Sequence, residues 1–167
     1  HVPAPHSMLE GIFKLRPGTL VGAEPGRPGE VRESCYWSAN QSALASAGRP
    51  FGGSFEDARD ALGTLLDECV RQQLVSDVPL GAFLSGGIDS SAVVASMQHH
   101  SPGCVRTFSI GFEESQFNEA PQARAVARHL GTDHTERILK ACEMTDAVPT
   151  ILGQLDEPFA DSSLIPT

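Results

Sequence analysis

The chain has 167 residues, 40% hydrophobic and 20% charged, a balance that fits a folded domain and excludes disorder throughout. Its apolar runs fall far short of the roughly 18 residues that span a bilayer, and no charged flank followed by a hydrophobic segment marks an export signal. A formal net charge of −9, with Lys14 and Lys140 the only lysines among twelve basic residues, opposes binding to a polyanion such as tRNA or DNA.

Residues 1–53 hold six of the twelve prolines and eight of the sixteen glycines, so this stretch cannot sustain a long helix. Gly11 to Leu15 and Thr19 to Val21 flank Arg16, Pro17 and Gly18 and read as strand, turn and strand, with Val31 to Trp37 adding another. Asn40 to Gly53, rich in Ser, Ala and Gly, reads as a linker. From Ser54 the period changes. Ser54 is placed to cap a helix whose apolar positions Ala58, Ala61, Leu62, Leu65, Leu66, Cys69, Val70 and Leu74 recur every three or four residues, and Pro79 ends it.

Leu80 to Leu84 lacks polar alternation, as expected of a central parallel strand buried on both faces. Ile88 to His100 is amphipathic, and Val105 to Phe112 is a second strand, so the three form a βαβ unit with a right-handed crossover expected. Asn118 is placed to cap the next helix and Gly131 to end it; His134 to Leu139 is a third strand and residues 142–155 a further helix. The expected fold is α/β: a doubly wound, parallel, Rossmann-like sheet that stops partway, preceded by a short β-rich segment. Cysteines 35, 69, 104 and 142 are widely spaced, with no C-x-x-C pair and no zinc-like His spacing, and read as reduced thiols of a cytoplasmic protein.

Ser85, Gly86, Gly87, Ile88, Asp89, Ser90 and Ser91 stand between the first of these parallel strands and its helix. Two glycines let the backbone turn tightly, and the first amides of the helix aim unpaired N–H groups and a positive dipole end at whatever lies there, so phosphate is the natural occupant. Gly81 and Gly86 have the spacing that begins a Walker A loop, but Gly87 and Ile88 stand where Lys and Ser/Thr are required. The dinucleotide G-x-G-x-x-G pattern is absent too. What remains resembles the pyrophosphate loop of the ATP pyrophosphatases, which cleave ATP between the α and β phosphates. An ordinary strand-to-helix turn, with Asp89 as a first-turn acid, is the structural alternative.

Beyond the loop, Val75 to Gly81, Phe83 to Ser91, Thr107 to Phe112, Arg128 to Thr132 with His134 and Glu136, and Asp156 to Thr167 together resemble the asparagine synthetase (glutamine-hydrolysing) family. Gly11 to Gly18 and Tyr36–Trp37 are similar to the tail of that family's glutaminase domain. The resemblance implies residues 1–39 as the C-terminal tail of an Ntn-type glutaminase domain, 40–53 as linker, and 54–167 as the N-terminal part of an ATP-binding synthetase domain of the adenine nucleotide alpha hydrolase-like type. It implies attack of the aspartate carboxylate on the α phosphate of ATP, giving a β-aspartyl adenylate and pyrophosphate, then displacement of AMP by ammonia released from glutamine. Ser85, Gly86, Gly87, Asp89, Ser90 and Ser91 would hold pyrophosphate, Asp89 would bind Mg²⁺, and backbone groups at Leu84 and Ile110 would meet adenine. Asp156, Glu157 and Asp161 read equally as substrate-side or metal carboxylates and as solvated acids, with Asp161, Ser162 or Ser163 capping a helix that has Pro166 in its first turn. His134, opening a strand, reads as structural, and Asn118 and Glu119 as helix-start residues.

The departures from the family matter as much. The nucleophilic N-terminal cysteine of the glutaminase is replaced by His1 and Val2, and a later Gly-Glu-Gly-x-Asp-Glu segment with a second metal-binding acid does not occur before Thr167. The chain therefore reads as an internal piece of a longer enzyme with no complete catalytic set, inactive alone. Its expected partners are ATP, aspartate or another carboxylate, and ammonia from a glutaminase domain, with neither nucleic acid nor membrane; a homodimer is compatible with the full-length parent. The competing readings are a paralogue acting on another carboxylate, including a β-lactam synthetase-like enzyme, and a non-catalytic nucleotide-binding remnant.

Overall fold

The computed structural model describes residues 2–27, 29–114, 118–159, 161 and 164, so the expected roles of Ser162, Ser163 and Pro166 lie outside the described residues. The chain divides into two compact units, one of residues 1–52 with 154–162, the other of residues 53–153 with 163–167. In the first, β1 (Thr19–Ala23) pairs antiparallel with β2 (Val31–Cys35), Thr19 facing Cys35 and Ala23 facing Val31. The amides of Tyr36 and Trp37 both donate to Gly18 O, which closes the open end of this hairpin.

Two expectations for the first unit are corrected. Gly11 to Leu15 forms no strand: Lys14 N donates to Pro5 O (2.9 Å) and the Ser7 hydroxyl to Ile12 O (2.7 Å), so the segment folds back on residues 5–7. Within the Ser/Ala-rich stretch that reads as linker, α1 (Ala39–Ala47) forms, started by the Ser38 side chain accepting from Gln41 N. Alanine carries little entropic cost in a helix, and one cap suffices for two turns and a half; no residue of α1 is buried.

The second unit opens with α2 (Phe55–Gln73), whose Ser54 and Asp57 form a reciprocal capping box. Then follow β3 (Gly81–Phe83), α3 (Ile88–His100), β4 (Arg106–Phe112), α4 (Ala120–Leu130), β5 (Asp133–Leu139) and α5 (Ala141–Leu152). The three strands make one parallel sheet in the order β3-β4-β5, Phe83 beside Phe108 and Phe112 beside Leu139. This is a Rossmann-like α/β arrangement. α4 begins one residue later than the Asn118 cap implies: Glu119 is the cap position, while Asn118 Oδ1 still accepts from Ala120 N at 3.1 Å. Gly131, at φ 71°, ends it in the left-handed conformation open to glycine.

Alternation along β4 explains the layering. Thr107, Ser109 and Gly111 are buried on one face, against which α4 packs, and Ala123 and Ala127 of α4 cluster with Leu84, just after β3, and Val94 of α3. Residue Ala82 also touches a second cluster, where Val70, Met97 and Val105 join the end of α2 to α3. The opposite face carries Phe83, Phe108, Ile110 and Phe112, all at least partly exposed. Leu80 to Leu84 is therefore not buried on both faces: β3 is an edge strand among the described residues and Phe83 is 62% exposed. In α2 likewise, Leu62 and Leu65 are exposed, and packing is confined to its last turns.

A polar contact joins the same two helices. The buried Ser96 of α3 donates to Asp67 of α2, and His100 Nε2 stands 3.6 Å from the same carboxylate. The Ser96 hydroxyl foremost, aided by the charges of His100 and His99, holds the Asp67 carboxyl below its usual range against the opposing effect of desolvation. A carboxyl with a depressed folded pKa stabilises above its unfolded pKa, and that contribution disappears as pH falls through the folded value. Asp67→Asn should lower Tm at neutral pH and flatten the acid limb of a Tm-against-pH curve; superimposable acid limbs would remove this contact from the account of stability.

Candidate functional site

The loop after β3 is shaped by its own hydroxyls. Leu84, 1% exposed, anchors it in the core and donates its amide to Phe108 O at 2.8 Å, extending the β3–β4 ladder. Ser85 Oγ and Ser90 Oγ lie 2.9 Å apart, Gly87 N donates weakly to Ser85 Oγ at 3.3 Å, and Ser91 Oγ donates to Gly87 O at 2.7 Å. These short-range bonds curl residues 85–91 around the start of α3.

That helix start is left open. Ser54 and Asp57 cap α2, but the cap position of α3 is Gly87, which has no side chain to close it. The first intrahelical bond runs from Ser91 N to Gly87 O, so the amides of Ile88, Asp89 and Ser90 precede the helical ladder. Three such N–H groups with the positive end of a 13-residue helix behind them suit a phosphate oxygen. The site stands at the carboxyl end of a parallel strand, where ligands of such sheets bind.

Gly86 holds the loop against its neighbour. Its φ is 80°, and a Cβ there would stand 2.6 Å from Ala123 N and 2.7 Å from Gln122 Cβ, inside the first turns of α4. Only glycine fits both the backbone angle and the space. Ile110, in the next strand, points to the partly exposed face of the sheet. With the Leu84 amide already committed to Phe108, a nucleobase contact there would use the Leu84 carbonyl.

Asp89, exposed in the first turn of α3, makes no hydrogen bond or ion pair among the described residues. No group of three His, Cys, Asp or Glu able to hold a metal occurs among the described residues. One free carboxylate beside a phosphate cradle nevertheless suits Mg²⁺, which keeps most of its waters and is held by one or two carboxylates together with substrate phosphates.

The acidic loop belongs to the other compact unit. Glu157 is half-buried and paired with Lys14, while Asp156 and Asp161 are exposed. This long-range pair is unmarked in sequence, since its members are 143 positions apart. A further polar cluster lies between α4 and the sheet: His134 Nδ1 is 2.9 Å from Thr107 Oγ1 and its Nε2 is 3.2 Å from Ser109 Oγ. Both ring nitrogens are thus engaged by buried hydroxyls, a structural role. Beside it Arg124 binds Glu136 through two bonds of 2.5 and 3.0 Å and holds that carboxyl below its usual range. All four thiols are free and exposed.

A parallel three-strand sheet with a helix start that has no side-chain cap behind a Ser-Gly-Gly turn defines an α/β protein of Rossmann-like type. The family model described as asparagine synthase matches residues 61–167, and the chain belongs to this family. It is 33% identical over 167 residues to a putative asparagine synthetase (glutamine-hydrolyzing) of Mycobacterium bovis, covering 99% of this chain and 24% of that protein. It is 32% identical over 165 residues to asparagine synthetase (glutamine-hydrolyzing) 1 of Bacillus subtilis, with the same two coverages. The corresponding protein of Cricetulus griseus is 34% identical over 112 residues, 63% of this chain and 19% of that one. The chain thus spans about a quarter of the length of the bacterial relatives.

Gly86→Ala should destabilise the chain by about 1–3 kcal/mol in urea unfolding, through its positive φ and the collision with α4 backbone. Gly103→Ala, with no atom near the added carbon, is the control. Equal midpoints for the two variants would mean that the loop is not seated on α4.

Proposed function

We propose that this chain supplies the pyrophosphate-holding part of an ATP-dependent, AMP-forming amide ligase that converts aspartate to asparagine. The observation that carries the reading is the start of α3, open behind Ser85, Gly86 and Gly87, in a chain of the asparagine synthase family. The cradle lacks the lysine that grips β and γ phosphates in Walker A loops, which favours departure of pyrophosphate over transfer of a γ phosphate.

In this reading the aspartate β-carboxylate attacks the α phosphorus, the bond to the bridging oxygen of pyrophosphate breaks, and ammonia from glutamine then displaces AMP from the β-aspartyl adenylate. The amides of Ile88, Asp89 and Ser90 and the hydroxyls of Ser85, Ser90 and Ser91 receive the charge that accumulates on the departing pyrophosphate. The amides are already oriented, so little reorganisation accompanies that charge there, whereas the Ser90 and Ser91 hydroxyls, which donate to Gly87 O, must turn to reach it. Mg²⁺, when bound, supplies further neutralisation of the phosphates, with Asp89 as its protein ligand. Leu84 and Ile110 offer backbone groups to adenine. Asp156, Glu157 and Asp161 are assigned to the amino-acid side from family resemblance.

The domain assignment follows the same reading: residues 1–39 as the end of a glutaminase domain, 40–53 as connector, 54–167 as the beginning of the synthetase domain. The change of compact unit between residues 52 and 53 supports the second boundary alone, since residues 154–162 fall in the first unit and no change of unit occurs at residue 39. No helix among the described residues is long and apolar enough to cross a membrane.

Calorimetric titration with ATP tests the cradle. Asp89→Ala should weaken Mg-ATP binding roughly tenfold, as loss of one charged contact of about 1.4 kcal/mol implies, while metal-free ATP, relieved of the carboxylate's repulsion, should bind no more weakly than before. Equal Mg-ATP affinities in the two proteins would dismiss Asp89 as the metal ligand.

A further inference from the structure

Consecutive residues of α4 meet different neighbours. Gln122 and the Ala123 amide stand where a Gly86 Cβ would be, the Ala123 methyl, 0% exposed, joins Leu84 and Val94, and Arg124 reaches across to β5. Its guanidinium donates to both oxygens of Glu136, from Nε at 3.0 Å and from Nη2 at 2.5 Å. In register, Glu136 lies beside the buried Ser109 of β4 and so belongs to the sheet face on which α4 packs.

The β5 side of that face offers the helix little apolar surface. His134 and Glu136 stand there, and a cavity of about 350 Å³, lined by Arg124, Ala127, Arg128, Thr132, His134 and Glu136, opens between helix and strand. Apolar packing holds α4 on its Leu84 and Val94 flank, and the forked pair holds it on the other. With the Glu136 side chain only 17% exposed, this pair differs from Arg59 and Asp60 of α2, 63% and 71% exposed, which water screens.

We propose that Arg124 and Glu136 are positioning residues for the loop from Ser85 to Ser91: the pair fixes how closely α4 approaches Gly86, and so sets where the free amides of Ile88, Asp89 and Ser90 lie. Without the pair, α4 can shift over the polar part of the sheet, and its first turns no longer hold Gly86 at one distance. The consequence for nucleotide binding rests on the pyrophosphate reading proposed above, whereas the mechanical link between pair and loop does not.

Both variants of the pair lower stability by themselves, so the test is coupling and not stability alone. The fall in urea midpoint caused by Gly86→Ala should shrink by roughly half when Arg124→Ala is also present, because the collision with α4 relaxes while the strain of a positive φ remains. Glu136→Gln, the milder variant, changes the charge in the opposite sense and should shrink it likewise. An undiminished fall in either background would overturn the proposal. Calorimetric titration of the 167-residue chain adds a readout that a merely structural role would not move. Arg124→Ala and Glu136→Gln should each weaken Mg-ATP binding about threefold, whereas long-range electrostatics alone would move the two affinities in opposite directions. Opposite shifts, or affinities equal to that of the unmutated chain, would overturn the positioning role. Coupling to Gly86→Ala in a chain that binds no Mg-ATP would keep the pair as the fixture of the loop and refute the pyrophosphate reading instead.

Discussion

The approach of Gly86 to the first turns of α4 is the constraint from which the rest of the site follows. Because atoms of Gln122 and Ala123 occupy the space where a Gly86 side chain would be, the loop cannot shift toward α4 without moving it. α4 in turn is locked to the sheet by Ala123 and Ala127, whose small side chains let it lie close to Leu84 and Val94. The cradle is thus held from below by Leu84, from the side by α4, and from within by its own serines. Orientation of the free amides is a property of the packed core, not of the loop alone.

That arrangement reconciles an acidic chain with the anionic ligand proposed for it. A net charge of −9 disfavours long-range attraction of polyanions, and the loop contains no basic side chain. Positive potential comes instead from backbone dipoles, which act over a few ångströms and only where a helix start is left uncapped. Asp89 adds a negative charge at the same place, which makes metal-complexed phosphates better occupants than bare ones. A cradle of this kind selects at contact, leaving the overall charge free to serve solubility.

What could be read from the sequence was local. Ile88 to His100 has the same limits in the structure, the Ser54 cap is present, and Gly131 ends its helix, because each depends on neighbours within four residues. The turn at Ser85 follows from the same short-range chemistry. Features set by distant partners were not legible. The run from Gly11 to Leu15 has strand-like composition but its bonds go to residues 5–7, and the apolar character of Phe83 says nothing of which strand face is covered. The alanines of α1 looked like linker because helix propensity in a short polar stretch is a weak signal. The partnership of Lys14 with Glu157 leaves no periodic trace at all.

The order of the parallel strands has a consequence for how the molecule comes into being. Each strand pairs with the next in sequence: Gly81 with Arg106 and Arg106 with Asp133, separations of about 25 residues bridged by one helix. The sheet can accordingly extend at one edge as the polypeptide leaves the ribosome, each new βα unit docking on a finished neighbour. Lys14 and Glu157 obey the opposite rule, since the lysine must wait for 143 further residues to be made. Closure of that pair thus comes after the three parallel strands have been made, and until then Lys14 lacks its carboxylate partner.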